Sequence, residues 1–377
     1  MDTGQAQTKA KEQVVPNQTR EQRRDQLSER LFQAAAGVFD TFSVYVGHRL
    51  GFYKILASSS PMTSLELSAA AGTVERYTRE WLEQQTVTGI LEVINPSAPA
   101  MERRFTLPAG HDETLIDRDS PGYMIPLVQL LVSVTRPIDS LLNAYRTGEG
   151  IPLSEYGEDF IYGQGDFNRV TFLQELGQVW LPSIPDVHAR LQADPPARVA
   201  DIGVGTGWSS IAMALSYPKI EVDGFDLDAP SIAEARKNAL KSGVAHRVHF
   251  YVRDAADPQL NGTYDLVTAF ETLHDMPNPI GALQTMRRMA NDTGTVLIVD
   301  ERVGDEFTPN GNEVEWMMYG WSFLHCLPVG MSEQPSAGTG TVMRTSTLRD
   351  YARQAGFADL EVLPIENYFF RVYRLRP

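Results

Sequence analysis

A glycine-rich turn follows a short apolar stretch in the second half of the chain. Residues 199–202 have the composition of a buried strand, and Gly203, Gly205 and Gly207 follow it at alternate positions. Glycines at this spacing permit a sharp turn and leave backbone N–H groups open to a ligand. Asp201, just before the first glycine, would repel a pyrophosphate and attract an ammonium or sulfonium group. The pattern therefore predicts a nucleotide-type pocket for a ligand that carries positive charge.

Other ligand-binding motifs are absent from the sequence. The dinucleotide fingerprint G-x-G-x-x-G needs a third glycine where this chain has Trp208, which disfavours a dehydrogenase. The chain has no Cys/His cluster with zinc spacing, no H-E-x-x-H, no G-x-x-x-x-G-K-[ST] and no G-x-S-x-G. We therefore expect neither a metal site nor phosphate chemistry.

Acidic residues also follow the next two predicted strands. Asp226 ends the second strand and Asp254 follows the third, as Asp201 ends the first. Ligands of a doubly wound sheet bind at the carboxyl ends of its strands, where these three side chains would meet. A carboxylate at position 226 could accept two hydrogen bonds from ribose hydroxyl groups. Asp254 has an alternative interpretation, because aspartate often caps a turn.

In the order of these motifs, the chain resembles the class I S-adenosylmethionine-dependent methyltransferases, whose first motif is an acid followed by G-x-G-x-G. The resemblance implies S-adenosyl-L-methionine as the cofactor. It places Asp226 on the ribose, Leu227 on the adenine ring, and Asp254 with Ala255 at the adenine amino group. Glu271 would line the methionine end of the cofactor.

A Leu-His-Asp run, which includes His274, follows the fourth predicted strand. With it the resemblance narrows to the winged-helix small-molecule O-methyltransferases, closest to bacterial members of unsettled substrate. That resemblance implies a general base at His274, oriented by Asp300 with Glu301 beside it. A phenol of pKa near 10 is about three units from ionised at neutral pH, so a nearby histidine would help. A structural histidine is the alternative. The chain departs from the family pattern at Met276-Pro277, where Trp-Ser is usual, and this bears on the acceptor.

Aromatic residues are the candidates for binding the acceptor. An insertion after the fifth predicted strand is rich in them, and its position on the ligand side of the sheet favours a pocket wall. Core packing is the alternative for any of these side chains. The predicted substrate-binding residues, two before the glycine turn and four in the insertion, are Tyr162, Phe172, Trp316, Trp321, Phe323 and His325.

The predicted elements bring these residues to one edge of a sheet. Strands and helices alternate from residue 199 onward and include seven strands, while three helices and a two-stranded wing precede them. The fold class is α/β, a doubly wound seven-stranded Rossmann-like methyltransferase sheet with an N-terminal winged-helix domain. The predicted domains are a disordered tail (1–22), a winged-helix dimerisation domain (23–112), a helical linker or lid (113–193) and the S-adenosylmethionine-binding domain (194–377). Within the linker, two long helices are expected over 121–145 and 168–191, joined by an irregular segment rich in glycine and acidic residues.

Charge and composition restrict the partners. The 377 residues carry a net charge of -15, which disfavours nucleic acid and anionic membranes, and the helix expected from Val74 is itself slightly acidic. One cysteine and no signal-peptide-like start favour a cytoplasmic protein. An apolar face on the first helices and the family resemblance predict a homodimer.

Two alternative functions stay open. One is an enzyme of the same fold that uses S-adenosylmethionine without methylating, of the pericyclase or decarboxylase type. The other, which is disfavoured, is a winged-helix DNA-binding regulator.

Overall fold

The structure, a computed structural model, describes residues 18–376. Fifteen α-helices are assigned among these residues. They are α1 Arg20–Arg49, α2 Phe52–Ala57, α3 Ser64–Ala71, α4 Glu75–Val87, α5 His111–Leu115, α6 Ile125–Ser133, α7 Ile138–Thr147, α8 Glu158–Thr171, α9 Pro185–Gln192, α10 Trp208–Ser216, α11 Ala229–Lys241, α12 Pro279–Met289, α13 Glu313–Trp321, α14 Leu327–Gly330 and α15 Thr345–Gln354. Wider π-type turns, Phe172–Trp180 and Ser322–Cys326, continue α8 and α13.

Nine strands form two sheets within the described residues. They are β1 Glu92–Val93, β2 Phe105–Thr106, β3 Arg198–Ile202, β4 Glu221–Asp226, β5 Val248–Val252, β6 Tyr264–Phe270, β7 Ala290–Glu301, β8 Asp359–Val362 and β9 Phe370–Arg376. The large sheet has the order β5-β4-β3-β6-β7-β9-β8 and confirms the predicted seven strands. Five of its strands are parallel, whereas β9 runs antiparallel to both β7 and β8, so the sheet is mixed. Apolar clusters cover both of its faces.

The N-terminal domain has the predicted winged-helix arrangement of α1 to α4 followed by the hairpin of β1 and β2. Its core includes Phe52, Trp81 and Phe105. Residues 1–17 of the predicted tail lie outside the described residues. The last residues of that predicted tail are helical instead, because Thr19 and Gln22 form a capping box that starts α1 at Arg20.

Helix α1 is attached to the rest of the chain only near its carboxyl end. It is 30 residues long, and Val44 and Gly47 are its buried residues. A Cβ on Gly47 would overlap the Trp81 ring, so glycine allows the close approach of α1 to α4. Farther toward the amino end, Phe32 is 69% exposed and Phe39 is 71% exposed. This helix therefore presents a large apolar surface outside the domain core.

The linker between the two domains differs from the prediction in two places. The expected helix over 121–145 is divided into α6 and α7, and Pro137 is the residue before α7. The segment before Asn168 was expected to be an irregular connection, but α8 begins at Glu158. Asp159, in the first turn of α8, accepts hydrogen bonds from the Tyr45 hydroxyl and from Arg49 Nη1 (2.9 Å) and Arg136 Nη2 (3.2 Å). This buried carboxylate joins α1, the turn after α6, and α8.

A helix that crosses a membrane must be long and apolar. Among residues 18–376, no single helix is long and apolar enough to cross a membrane, although the bent pair of α6 and α7 would satisfy the requirement together by length and composition.

Candidate functional site

A cavity of about 1010 Å³ opens at the carboxyl ends of β3, β4, β6 and β7. Its two ends have different walls. The glycine end consists of residues 203–206, 226–228 and 253–256, which follow strands β3, β4 and β5. The aromatic end consists of side chains from α8 and from the segment after β7, namely Phe160, Met317, Met318, Trp321, His325 and Cys326. His274 and Glu271, which follow β6, also line the cavity.

The three glycines of the turn all have positive φ but serve different purposes. Gly203 has φ 68° and Gly205 has φ 50°, and both line the cavity. A Cβ on Gly205 would meet nothing within 4 Å, so its backbone faces open space. Gly207 does not line the cavity, and a Cβ there would lie 2.6 Å from the Phe250 ring and 2.9 Å from the Ala235 Cβ. At Gly207 the structure therefore shows close packing of the turn against α11 and β5, and the predicted cofactor contact there stays a prediction.

Asp226 shapes the turn through its carboxylate. Its Oδ2 accepts the backbone N–H of Gly205 at 2.8 Å, and its Oδ1 accepts the backbone N–H of Asp228 at 2.9 Å. Burial raises the pKa of Asp226, although the backbone hydrogen bonds oppose that shift. The side chain lines the cavity beside Leu227. Backbone N–H groups of the adjoining turns thus hold the Asp226 carboxylate in a position where it could also contact a ligand.

Asp254 and Ala255 lie on the same end of the cavity. Oδ1 of Asp254 accepts the backbone N–H of Ala256 at 2.8 Å, which is the turn-capping role considered as the alternative. Its position in the wall is compatible with both roles.

Asp201 is placed differently from the expectation. Its side chain is fully buried and absent from the cavity wall. Its oxygens accept hydrogen bonds from the hydroxyl groups of Ser209 (2.6 Å), Ser210 (2.7 Å) and Thr268 (2.7 Å). Burial raises the pKa of Asp201 to about 6, and the hydroxyl groups partly offset the shift. This carboxylate therefore ties β3 to α10 and β6 and lies outside the cavity wall.

Glu271 combines an uncommon backbone with an unpaired oxygen. Its φ of 51° is in the left-handed region, where non-glycine residues are strained, and its N–H donates to the Val299 carbonyl at 2.8 Å. Oε1 is buried without a hydrogen-bond partner, and burial raises the pKa of the carboxyl to about 8. A cation bound beside it would satisfy this oxygen and favour its ionised form.

His274 lies among carboxylates, as the resemblance implied for two of them. Its Nδ1 is 2.8 Å from Asp300 Oδ1 and 3.2 Å from Glu301 Oε2, and its Nε2 is 3.1 Å from Asp275 Oδ1. Burial alone would lower the pKa of His274, but these three carboxylates raise it well above the ordinary value. Asp300 is fully buried behind the ring and does not line the cavity, whereas Glu301 does.

Three of the six predicted substrate-binding residues line the cavity, and three do not. Phe172, Trp321 and His325 are in its wall. The side chains that lie elsewhere are Tyr162, 42% exposed, Trp316, 70% exposed, and Phe323, 44% exposed. Helix geometry explains the difference, because a side chain one position along a helix faces about 100° away from its neighbour.

Sequence reasoning did not identify some wall residues. Met317 and Trp321 share one face of α13 at a spacing of four, and Phe160 lies in the helix that replaced the expected loop. The helical spacing of the methionines and tryptophans was the available signal for Met317, since Trp321 was itself predicted. The signal for Phe160 was its place in an aromatic segment that leads toward the glycine turn.

Two groups of side chains have ligand atoms close enough to hold a metal ion. Within the described residues these are His274 with Asp275 and Cys326, and His274 with Asp300 and Glu301, each set lying within 4.8 Å. Both sets share the same histidine. The expectation of a site without metal stays a prediction.

Comparisons with known proteins agree with this arrangement. Residues 193–334 match the family model described as "Methyltransferase domain", and residues 39–117 match the "Rv2258c-like winged HTH domain". The ubiquinone biosynthesis O-methyltransferase of Burkholderia ambifaria is 34% identical over 125 residues, which are 33% of this chain and 51% of that protein. The chain spans between about a quarter and three quarters of the length of the curated relatives that it matches.

Solved structures resemble the chain over nearly its whole length. The mitomycin 7-O-methyltransferase MmcR has a TM-score of 0.69 at 18% identity, with 94% of this chain and 98% of that chain covered. Human N-acetylserotonin methyltransferase in complex with SAM has a TM-score of 0.63 at 17% identity, with 93% and 97% covered. These likenesses show the fold.

The fold and the two domain matches show a methyltransferase domain that follows an N-terminal winged-helix domain. S-adenosyl-L-methionine is the molecule bound in the structure of human N-acetylserotonin methyltransferase. The residues fit that molecule, because the glycine end offers a turn without side chains at Gly203 and Gly205, and Glu271 offers a buried oxygen that lacks a donor.

Proposed function

We propose that this enzyme transfers the methyl group of S-adenosylmethionine to an oxygen of a small aromatic or hydroxylated molecule. The observation that carries the proposal is the position of His274. Its side chain lies in the wall of the cavity that also contains the glycine turn, and its Nδ1 is 2.8 Å from Asp300 Oδ1. A base next to the reacting group is useful for a hydroxyl acceptor, which must lose a proton, and much less so for a carboxylate.

We assign the cofactor to the glycine end. Asp226 would accept hydrogen bonds from the ribose hydroxyl groups, with Leu227 against the adenine and Asp254 and Ala255 at its amino group. Glu271 would face the positively charged methionine end. When bound, S-adenosylmethionine supplies the methyl group on a positively charged sulfur. The role of Asp201 becomes indirect, since its carboxylate fixes the strand that leads into the turn.

The protons of the His274 cluster determine how it acts as a base. Three neighbouring carboxylates favour the imidazolium form in the free enzyme. Two complexes hold the same number of protons: an imidazolium beside an ionised acceptor hydroxyl, and a neutral imidazole beside a neutral acceptor hydroxyl. The two complexes therefore have the same pH dependence. In both, Asp300 orients the ring and its charge stabilises the imidazolium. The reactive complex therefore forms after the free enzyme and acceptor together have lost one proton.

Water exclusion is the second contribution of the chain. His274 is 3% exposed, and the aromatic end closes one side of the cavity with apolar side chains such as Trp321 and Met318. A dry wall strengthens electrostatic interactions and holds the acceptor against the methyl donor.

The test is methyl transfer to a panel of phenols, with S-adenosylhomocysteine and methylated product measured by mass spectrometry. We expect product from at least one phenol, and loss of product formation by a factor of about 10² to 10⁴ in His274→Ala. His249→Ala, an exposed histidine of β5, is the matched control and should keep full activity. Equal turnover by His274→Ala would contradict the assigned base. S-adenosylmethionine binding without transfer to any phenol or amine would favour the non-methylating alternative.

We also propose that the protein is a homodimer formed through α1. The support is the apolar surface of this helix, which includes Leu31, Phe32 and Phe39 at helical spacing and lies outside the domain core. Phe39→Glu should shift the molecular mass measured by light scattering from dimer to monomer. Leu240→Glu, which replaces an equally exposed residue of α11, should leave the mass unchanged. A monomeric wild type would contradict the proposal.

A small-molecule acceptor is favoured over nucleic acid by the charges of α4. Arg76 and Arg79, the arginines of this helix, pair with Glu80 and Glu75 at i,i+4 spacing. A groove-reading helix needs basic side chains free for phosphates and bases. We therefore retain the prediction that the winged-helix domain does not bind DNA.

A further inference from the structure

His325 is fixed in the cavity wall with one nitrogen unused. The side chain is 5% exposed, and its ring stacks on Phe160 with centroids 3.9 Å apart and planes at 20°. The Tyr156 ring packs edge to face with the His325 ring, with centroids 4.6 Å apart. Nδ1 lies 3.5 Å from the Cys326 sulfur, and Nε2 is buried without a hydrogen-bond partner among the described residues. Such an atom loses its water on burial and gains nothing in return unless a ligand supplies a partner.

The protonation of the neighbours indicates which partner Nε2 requires. Burial lowers the pKa of His325 to about 4, so its ring is neutral and only one nitrogen carries a proton. Burial raises the pKa of Cys326 to about 12, so the thiol keeps its proton, and the nearby Asp275 carboxylate is its strongest acceptor. The sulfur then accepts from Nδ1–H, and Nε2 is left with a lone pair. The missing partner is therefore a hydrogen-bond donor.

The unused nitrogen lies close to the proposed base. The ligand atoms of His274, Asp275 and Cys326 lie within 4.8 Å of one another, and the imidazole of His325 contacts the same sulfur. An acceptor hydroxyl at His274 and a second group at His325 would thus contact side chains that both adjoin the Cys326 sulfur. Thr341 Oγ1 is a second buried oxygen of the cavity wall that has no hydrogen-bond partner among the described residues.

We propose that the acceptor carries, on the same ring as the methylated hydroxyl, a second O–H or N–H donor, and that His325 selects for it through Nε2. The inference rests on the proposed function. It narrows the substrate class from phenols in general to dihydroxy- and aminohydroxyarenes. A site built to bond such a group discriminates against an analogue without it, because its own buried atom is then left unpaired.

The proposal is tested by calorimetric binding of two probes to the protein saturated with S-adenosylhomocysteine. The probes are 2,3-dihydroxynaphthalene and 2-naphthol, which differ only in the second hydroxyl. We expect the diol to bind at least about tenfold more tightly to the wild type, the factor that an unmade hydrogen bond to a buried group produces. In His325→Phe, which keeps a ring against Phe160, the two probes should bind equally.

The controls separate this inference from the proposed function. Phe323→Ala, a change in the same turn on a side chain outside the cavity, should keep the preference for the diol. 3-Methoxy-2-naphthol, which lacks the second donor, should bind like 2-naphthol. Equal affinity of the wild type for diol and naphthol, a preference that survives in His325→Phe, or no binding of either probe would overturn the proposal. Binding of S-adenosylmethionine and methyl transfer to other phenols are measured separately, so their failure would be recognised independently.

Discussion

At the glycine end of the cavity the wall is mostly backbone and strand-end carboxylates, whereas at the aromatic end it is mostly side chains from helices. The first set follows directly from consecutive strands of one sheet, so its geometry is determined by hydrogen-bonded register. The second set comes from α8 and from the segment after β7, and two of its members, Phe160 and Met317, are 157 residues apart in sequence. The proposed cofactor and acceptor ends are thus built from different parts of the chain, and single substitutions should affect one without the other.

The largest effect is expected for Asp300→Asn, which changes the partner of His274 between the two ends of the cavity. Because carboxylates raise the pKa of His274, the base form appears only above that raised value, and kcat/KM should rise with pH well beyond 6.5. Asp300→Asn removes one of these charges, so the rise should move to lower pH while the plateau falls by about 10² or more. The pH profile of S-adenosylhomocysteine formation measures both. An unshifted profile in Asp300→Asn would show that another group controls the titration.

Asp226→Ala should affect the glycine end alone. Loss of the carboxylate removes the anchor of the Gly205 N–H and the proposed ribose contacts, so affinity for S-adenosylmethionine should fall about 10- to 100-fold. Calorimetric titration measures this, with Asp292→Ala, an exposed aspartate of β7, as the matched control. At saturating cofactor, the acceptor KM should stay within about twofold. A rise in acceptor KM as large as the loss of cofactor affinity would mean that the two ends are coupled.

Gly207→Ala should lower stability more than it changes chemistry. The added Cβ would press on Phe250 and Ala235, and φ of 83° is unfavourable for alanine, so the free energy of unfolding should fall by about 1–3 kcal/mol. Denaturant unfolding gives this value. Gly205→Ala also places alanine at positive φ, but its Cβ meets open space in the cavity, so cofactor affinity should fall more in this variant. The opposite order of cofactor affinities would return Gly207 to the binding site.

The smallest effect is expected for Trp316→Ala. This side chain is 70% exposed and lies outside the cavity, so stability should change by less than about 0.5 kcal/mol and the acceptor KM should not change. Trp321→Ala, five positions along and in the cavity wall, should raise the acceptor KM instead. Steady-state kinetics on any phenol that is turned over distinguishes the two tryptophans, and equal behaviour would contradict the assigned orientation of α13.

The sequence predicted the sheet and the order of its strand-end acids, because apolar runs, glycines and acids occupy fixed positions relative to strands. The predicted position of Asp201 in the cavity differs from its position in the structure. The hydroxyl groups that bond its carboxylate come from other elements, and the sequence around Asp201 does not specify them. The sequence also misplaced Tyr162, because the segment around it was expected to be a loop and is a helix. The orientation of a side chain on a helix follows from the tertiary packing of that helix, which the spacing of one sequence does not specify.

Asp159 has a consequence for how this architecture can be rearranged. Its buried carboxylate belongs to the helix that supplies Phe160, while the Tyr45 and Arg49 donors belong to α1. A hybrid enzyme that separates α1 from α8 would leave the buried carboxylate of Asp159 with Arg136 but without the donors of α1. In this protein, α1 and the start of α8 would therefore have to be exchanged together.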